Sequence, residues 1–208
     1  MATITFLGHG SLKLKTAAGH VIYIDPFMSP NGDSSKVGYE DAADAILVTH
    51  QHYDHTAIDK MPHAPGCVVW QNMDSHPAPD TYLTLDLFDG EVNVRAVEAY
   101  NKMHDKNACV GYVLSLEGKR VYFSGDTGPT SDMSRLASEG LDLAFLPGDG
   151  IYTMTAEEAA ECANLIGAKV TVPIHLKPVK PYGEAEAARF AKVAKGALLV
   201  RPGESVEL

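Results

Sequence analysis

The sequence predicts an α+β fold in which two β-sheets pack face to face and helices cover the outside. Three observations point there. The first part of the chain is a succession of short strands joined by turns. The last part alternates strand and helix. No linker or repeat separates the two, and 208 residues, 45% of them hydrophobic, suffice for one core without disulfides. A single domain over 1–208 is therefore expected.

Ile4 and Phe6, then Leu12 and Leu14, alternate with polar residues and read as two strands joined at Gly8, His9 and Gly10. A third strand runs from Val21 to Asp25, where Pro26 ends it. Residues 29–38, with Pro30, Asn31, Gly32 and Gly38, form a loop. Ala45 to Thr49 is a short apolar run suited to a strand covered on both faces, and Cys67 to Trp70 is another. Residues 82–88 and 91–97 make a hairpin around Asp89 and Gly90; 110–116 and 120–124 make a second across Glu117, Gly118 and Lys119. Leu141 to Leu146 is a strand. Thr155 and Glu158 form a capping box that opens a helix through Ile166, with Gly167 as its stop. A strand over 168–174, a helix over 184–195 and a short strand over 197–200 complete the chain.

Acidic residues outnumber basic ones, 27 to 17, for a formal net charge of −10. That balance opposes attraction to nucleic acid or to an anionic membrane surface, and neither partner is expected. A small anionic substrate is still compatible with it, because bound metal ions invert the field locally. A homo-oligomer is equally compatible. Cys67, Cys109 and Cys162 are sparse and contain no C-x-x-C, so they read as buried thiols in a reducing cytoplasm. The N-terminus lacks a basic segment followed by an apolar run, and no apolar stretch approaches the ~18 residues that span a bilayer. Nine histidines against one tryptophan are the compositional oddity.

The histidines are concentrated where the chemistry is. His50 and His52 end an extended run and point to the same side of it. The chain must then turn, which brings Asp54 and His55 to the same point. Four nitrogen and oxygen donors within six residues suit a borderline metal such as zinc.

This His50-x-His52-x-Asp54-His55 string resembles the signature of the metallo-β-lactamase-fold hydrolases. Asp25 after an apolar strand, Gly125, Asp126 and Thr127 after another, and Pro173, Ile174 and His175 after a late one resemble its further motifs in order. Together with Gly8-His9-Gly10 and residues 152–158, the chain is similar to the branch of ascorbate-6-phosphate lactonase-like proteins. The resemblance implies a four-layer αββα sandwich of two mixed sheets. It implies two divalent metal ions, zinc first, with manganese or iron accepted by the same donors. His50, His52 and His104 would hold one ion; Asp54, His55 and His175 the other; Asp126 would bridge them. His104 is favoured over His76 as the mid-chain ligand, and His76, His20 and His63 are expected at the surface or rim. Asp54 and His9 are the implied catalytic positions, Asp54 orienting the nucleophile and His9 lying beside the metals or against substrate. Asp25 is expected to orient a ligand histidine by accepting its free N–H.

The reaction implied is attack of a metal-bridging hydroxide on an ester, lactone or phosphodiester of a small molecule. No G-x-S-x-G is present to suggest a serine nucleophile. A nuclease, a redox di-iron protein and a non-catalytic metal-dependent sensor are the alternatives. The first is opposed by the −10 charge, the second by His52, where such relatives carry Glu, and the third by the intact Asp54 and Asp126. Specificity is expected from the loops at 29–38, 72–80 and 177–183, with Lys177 and Lys180 on a solvated loop.

Overall fold

Strict alternation of apolar and polar side chains builds the first sheet. In β1 (Thr3–Gly8) and β2 (Ser11–Lys15), Ile4, Phe6, Leu12 and Leu14 all turn to one face and are buried. β3 (Val21–Ile24) and β4 (Ala43–Val48) are buried on both faces, as parallel neighbours usually are. β5 (His63–Gln71) closes one edge; it is longer than its apolar run, and Pro65 is tolerated because nothing described pairs beyond it. A computed structural model describes residues 1–27 and 38–208, so the expected loop at 29–38 lies, apart from Gly38, outside the described residues.

The second sheet comes from the two expected hairpins and the strand–helix alternation. β6 (Thr84–Leu87) and β7 (Val92–Glu98) are joined by a 3-10 turn at Phe88–Gly90, in which Phe88, Asp89 and Gly90 all take positive φ. β8 (Val110–Leu116) and β9 (Lys119–Phe123) follow, then β10 (Leu143–Pro147) and β11 (Val170–Ile174). With a final strand, β12 (Ser205–Glu207), strand order is β12-β1-β2-β3-β4-β5 in one sheet and β6 through β11 in sequence in the other. Each sheet is mixed: three antiparallel pairings, then two parallel ones.

The inner faces of both sheets share one core, in which Phe6, Leu12, Ile24, Tyr112, Phe123 and Phe145 are fully or almost fully buried. Burying each such side chain stabilises the fold by roughly 1.5–3 kcal/mol. Helices α2 (Asp132–Leu136), α3 (Ala156–Ile166) and α4 (Glu184–Val193) cover the outer face of the second sheet through Met133, Ala159, Ala163, Ile166 and Phe190. The outer face of the first sheet packs Tyr39, Met61 and Ile58 from residues 39–61 against Tyr23, Ile46 and Val48. The two-sheet sandwich with helices outside is as expected.

Two details differ. The apolar run at 197–200 pairs only through Ala197, in an isolated bridge to Thr171, because Pro202 ends it; the last strand is β12 (Ser205–Glu207), against β1. A short helix, α1 (Asn72–Ser75), opens the loop expected at 72–80. The capping box, by contrast, is present in full. Glu158 donates its backbone N–H to Thr155 Oγ1 (3.2 Å), and Glu158 Oε2 accepts from the Thr155 N–H (2.8 Å). Thr155→Ala is expected to cost about 1 kcal/mol, read as a lower denaturation midpoint with unchanged slope.

Candidate metal centre

Strands of both sheets end at one rim, and within three residues of each of these ends stands a polar side chain of the site. His9 follows β1, Asp25 follows β3, Thr49 and His50 follow β4, Asp126 follows β9, Asp149 follows β10 and His175 follows β11. His9, Asp25 and His175 take left-handed backbone angles, with φ of 57°, 46° and 45°. Such conformations cost of order 1 kcal/mol or more each and persist where the surroundings impose them. Here the surroundings are visible: His9 N–H donates to the Pro181 carbonyl, and the His9 carbonyl accepts from His175 N–H, both at 2.7 Å. Gly125 also has φ of +62°, and a Cβ there would lie 2.7 Å from the Val110 carbonyl oxygen, so only glycine lets Asp126 approach.

The His50–His55 segment turns back on itself through the His55 N–H to His52 carbonyl bond (3.0 Å). That turn places Asp54 and His55 beside His50. His50, His55, His104, His175 and Asp126 are buried, Asp54 is half-buried and His52 is exposed.

The central observation concerns Asp126 Oδ2. It lies 3.3 Å from His175 Nε2, 3.4 Å from His104 Nε2, 3.5 Å from His55 Nε2 and 4.0 Å from His50 Nε2. Among the described residues, Nε2 of His50, His55 and His104 has no hydrogen-bond partner although it is buried. Leaving such groups unpaired costs about 1–3 kcal/mol each, so the site asks for a further species.

The opposite ring nitrogens explain which proton sits where. Thr49 Oγ1 donates to Asp25 Oδ2 (2.5 Å), so its lone pair is left to accept from His50 Nδ1–H (3.0 Å). The same Asp25 oxygen accepts from His55 Nδ1–H (2.9 Å). One carboxylate therefore sets the tautomer of two histidines, one directly and one through Thr49. Asn101 Oδ1 accepts from His104 Nδ1–H (3.0 Å), and Asp149 Oδ2 lies 3.3 Å from His175 Nδ1. Nε2 of His50, His55 and His104 is thereby turned inward.

Two donor groups result. One is His50, His52 and His104; the other is His9, Asp54, His55 and His175. A third combination, Asp25 with His50 and His55, is spoken for, because both Asp25 oxygens already accept hydrogen bonds from Thr49 or His55. Imidazole and carboxylate donors of this kind fit zinc, manganese or iron. His9 is fully buried and does not line the adjoining cavity; its Nε2 sits 3.0 Å from Asp54 Oδ2, and its Nδ1 faces the Lys180 carbonyl at 3.2 Å. It thus touches Asp54 rather than the space open to a ligand.

Charge follows from this packing. Burial works against ionised Asp126, but the His175 and His55 rings hold its carboxyl well below the usual carboxylate range. Asp54 is lowered too: burial is outweighed by its bond to His9 and by His55. Burial also disfavours the charged His55, yet Asp126 and Asp25 push it well above an ordinary histidine; His175 is raised as well, by Asp126 and Asp149 against the effect of burial. His50 is pushed well down, by burial first and His55 second.

A cavity of about 310 Å³ opens onto the site, lined by His52, Asp54, His104, Asp126 and His175 at its floor. Tyr53, Met103, Tyr152, Pro178 and Val179 form its wall. The expected contribution of residues 177–183 is present in Pro178 and Val179, whereas residues 72–80 take no part. His76 is not at the surface but buried, stacked on Tyr82 and bonded through Nδ1 to the Thr81 carbonyl (2.8 Å). His20 stacks on Phe88 and pairs with Glu91, and His63 is exposed. All three cysteines are free; Cys109 and Cys162 are buried and Cys67 is half-buried. Among the described residues, no helix is long and apolar enough to cross a membrane.

Three positions whose side chains face the histidine rings escape sequence reading: Thr49, Asn101 and Asp149. Asp149 had a signal, since Gly148, Asp149 and Gly150 after β10 repeat the pattern of Gly125, Asp126 and Gly128 after β9.

Comparison with known proteins shows the family and the fold. The model of the "Beta-lactamase superfamily domain" matches residues 3–175. A UPF0173 metal-dependent hydrolase of Thermus thermophilus is 32% identical to this chain over the full length of both. A crystal structure of a metal-dependent hydrolase from Parabacteroides distasonis, 30% identical, superposes with a TM-score of 0.76 over 98% of this chain and 94% of its own. A metallo hydrolase of the archaeon Ignicoccus hospitalis, 23% identical, shares the fold with a TM-score of 0.75, over 99% of this chain and 97% of its own.

Proposed function

This chain belongs to the UPF0173 metal-dependent hydrolases of the metallo-β-lactamase superfamily, and from that premise we propose that it hydrolyses an ester, lactone or phosphodiester of a small molecule with two divalent ions. The convergence of four Nε2 atoms on one Asp126 oxygen carries the reading. His50, His52 and His104 would hold one ion and Asp54, His55 and His175 the other, with Asp126 available to both. Zinc is the first choice. When bound, the ions supply Lewis acidity and a hydroxide nucleophile near neutral pH.

The chain's own residues do the rest. Asp25, Thr49 and Asn101 keep His55, His50 and His104 in the ligating tautomer, and Asp149 Oδ2 faces His175 Nδ1 at 3.3 Å. His9 holds Asp54 in place at 3.0 Å, so that the carboxylate can orient the nucleophile toward the cavity. The wall of Tyr53, Met103, Tyr152, Pro178 and Val179 limits water around the reacting group. A single domain acting on a small molecule requires neither nucleic acid nor membrane.

The raised His55 and His175 imply a pH dependence with a definite sign. Both rings bind protons more readily than an ordinary histidine when no ion is present, and a ligating Nε2 must be proton-free. Metal uptake should therefore release protons, and affinity should rise with pH and fall as the solution is acidified through neutrality. Titration of the metal-free protein with zinc in two buffers of different ionisation enthalpy measures the release; pH-independent affinity would contradict it.

The activity is tested with metal-analysed protein on γ- and δ-lactones, nitrophenyl esters and bis-p-nitrophenyl phosphate. Lactones are included because the motifs resemble the lactonase-like branch. Two equivalents of metal with turnover of one class is the expected result. Stoichiometric metal without turnover of any class would favour a ligand sensor instead.

A further inference from the structure

Beyond the cavity at the metal centre lies a second, of about 540 Å³, and the two share Met103 and Tyr152. Its lining is mainly apolar or aromatic: Tyr100, Met103, Pro129, Ile151, Tyr152 and Met154. Three of these are exposed large apolar side chains, with Ile151 65%, Met103 57% and Tyr152 45% accessible, and Tyr53 at the first cavity is 60% accessible. Apolar groups clustered around one opening mark a ligand surface more often than scattered ones do. No Lys or Arg lines the first cavity among the described residues, and Lys102 is the one cation lining the second. Glu158 lines the same cavity, its Oε2 already committed to the helix cap. A phosphate or carboxylate on the distal part of a substrate would find little to neutralise it there.

The rim is also built to keep its shape. Asp149 Oδ1 accepts from the backbone N–H groups of Ile151 (2.9 Å), Tyr152 (3.0 Å) and Thr153 (2.9 Å). Asn101 donates its amide to the Tyr152 carbonyl (3.0 Å) while its oxygen holds Met103 and His104. The apolar wall is thus fastened by the same two side chains that face His175 and His104, so a chain lying on it has a defined path to the reacting centre.

We propose that the substrate is a neutral ester or lactone carrying an apolar chain, which lies past Met103 and Tyr152 in the second cavity while its carbonyl sits in the first. This rests on the hydrolase reading above and narrows it. In the step concerned, water adds across the acyl C–O bond: the hydroxyl goes to the carbonyl carbon, the bond to the alkoxy oxygen breaks, and that oxygen takes the proton. No oxidant or reductant is involved.

The test is a 4-nitrophenyl ester series from acetate to decanoate with the metal-loaded protein. Because each buried methylene contributes about 0.8 kcal/mol, kcat/KM should rise about fourfold per methylene until the cavity is filled. Ile151→Asp should flatten that rise, whereas Leu165→Asp, on the exposed side of α3, should not. A flat or falling series in an enzyme that turns over the acetate overturns the inference and leaves the hydrolase reading standing. If no ester is turned over, methyl NMR still decides. Neutral 2-dodecanone should shift the methionine methyl resonances of Met103 and Met154 but not that of Met73, and no shift at Met103 and Met154 overturns the proposal.

Discussion

Asp126→Ala is expected to reduce bound metal from two equivalents to one or none and to lower kcat by about 10³-fold or more, the equivalent of roughly 4 kcal/mol of transition-state stabilisation. The size follows from position. Among the described residues, Asp126 Oδ2 is the one oxygen within 4.0 Å of all four Nε2 atoms of His50, His55, His104 and His175. Removing it leaves four imidazoles with no shared anion, so neither ion keeps a full set of donors. The β9 turn should survive, because Gly125 provides its conformation. Far-UV circular dichroism should therefore be unchanged while inductively coupled plasma analysis shows the loss. Full metal content in the variant would remove Asp126 from the ligand set.

Asp54→Asn is expected to act mainly on turnover. An amide has the shape of the carboxylate and keeps a contact with His9, but it carries no negative charge to hold an ion or to orient a nucleophile. A loss of about 10²- to 10³-fold in kcat is expected, with KM changed much less and thermal stability within about 1 kcal/mol of the parent. His9→Gln gives the companion measurement. His9 does not line the cavity and acts through Asp54, so its loss should lower kcat by about 10- to 100-fold, as for other partners of metal ligands. An unchanged kcat in metal-loaded Asp54→Asn protein would contradict the role given to Asp54.

The donor residues were legible in the sequence because metal chemistry restricts residue type and strand ends restrict place. His50, His52, Asp54 and His55 stand within six residues, and Asp126 and His175 each follow an apolar strand. The residues that orient those donors were harder to see. Thr49 and Asn101 act through one oxygen each, and any hydroxyl or amide in a turn has that capacity. Asp149 sits in a Gly-Asp-Gly turn that local chemistry explains equally well as a loop. In the fold, α3 was readable from its capping box, whereas β12 carries one apolar residue, Val206, between polar neighbours and exists because β1 offers an unpaired edge. The run at 197–200 shows the reverse: apolar enough for a strand, it buries Val200 in the core but leaves Leu198 40% exposed and pairs at one point. The outward appearance of His76 failed for a similar reason. Its proline-rich surroundings suggest a surface loop, yet Tyr82 covers it face to face.

The measurement that bears most directly on this account is a crystal structure of zinc-loaded protein with anomalous diffraction recorded on both sides of the zinc edge. Two peaks are expected, one among His50, His52, His104 and Asp126 and one among Asp54, His55, His175 and Asp126. A single peak, or peaks remote from Asp126, would contradict the two-ion centre and the hydrolytic mechanism built on it.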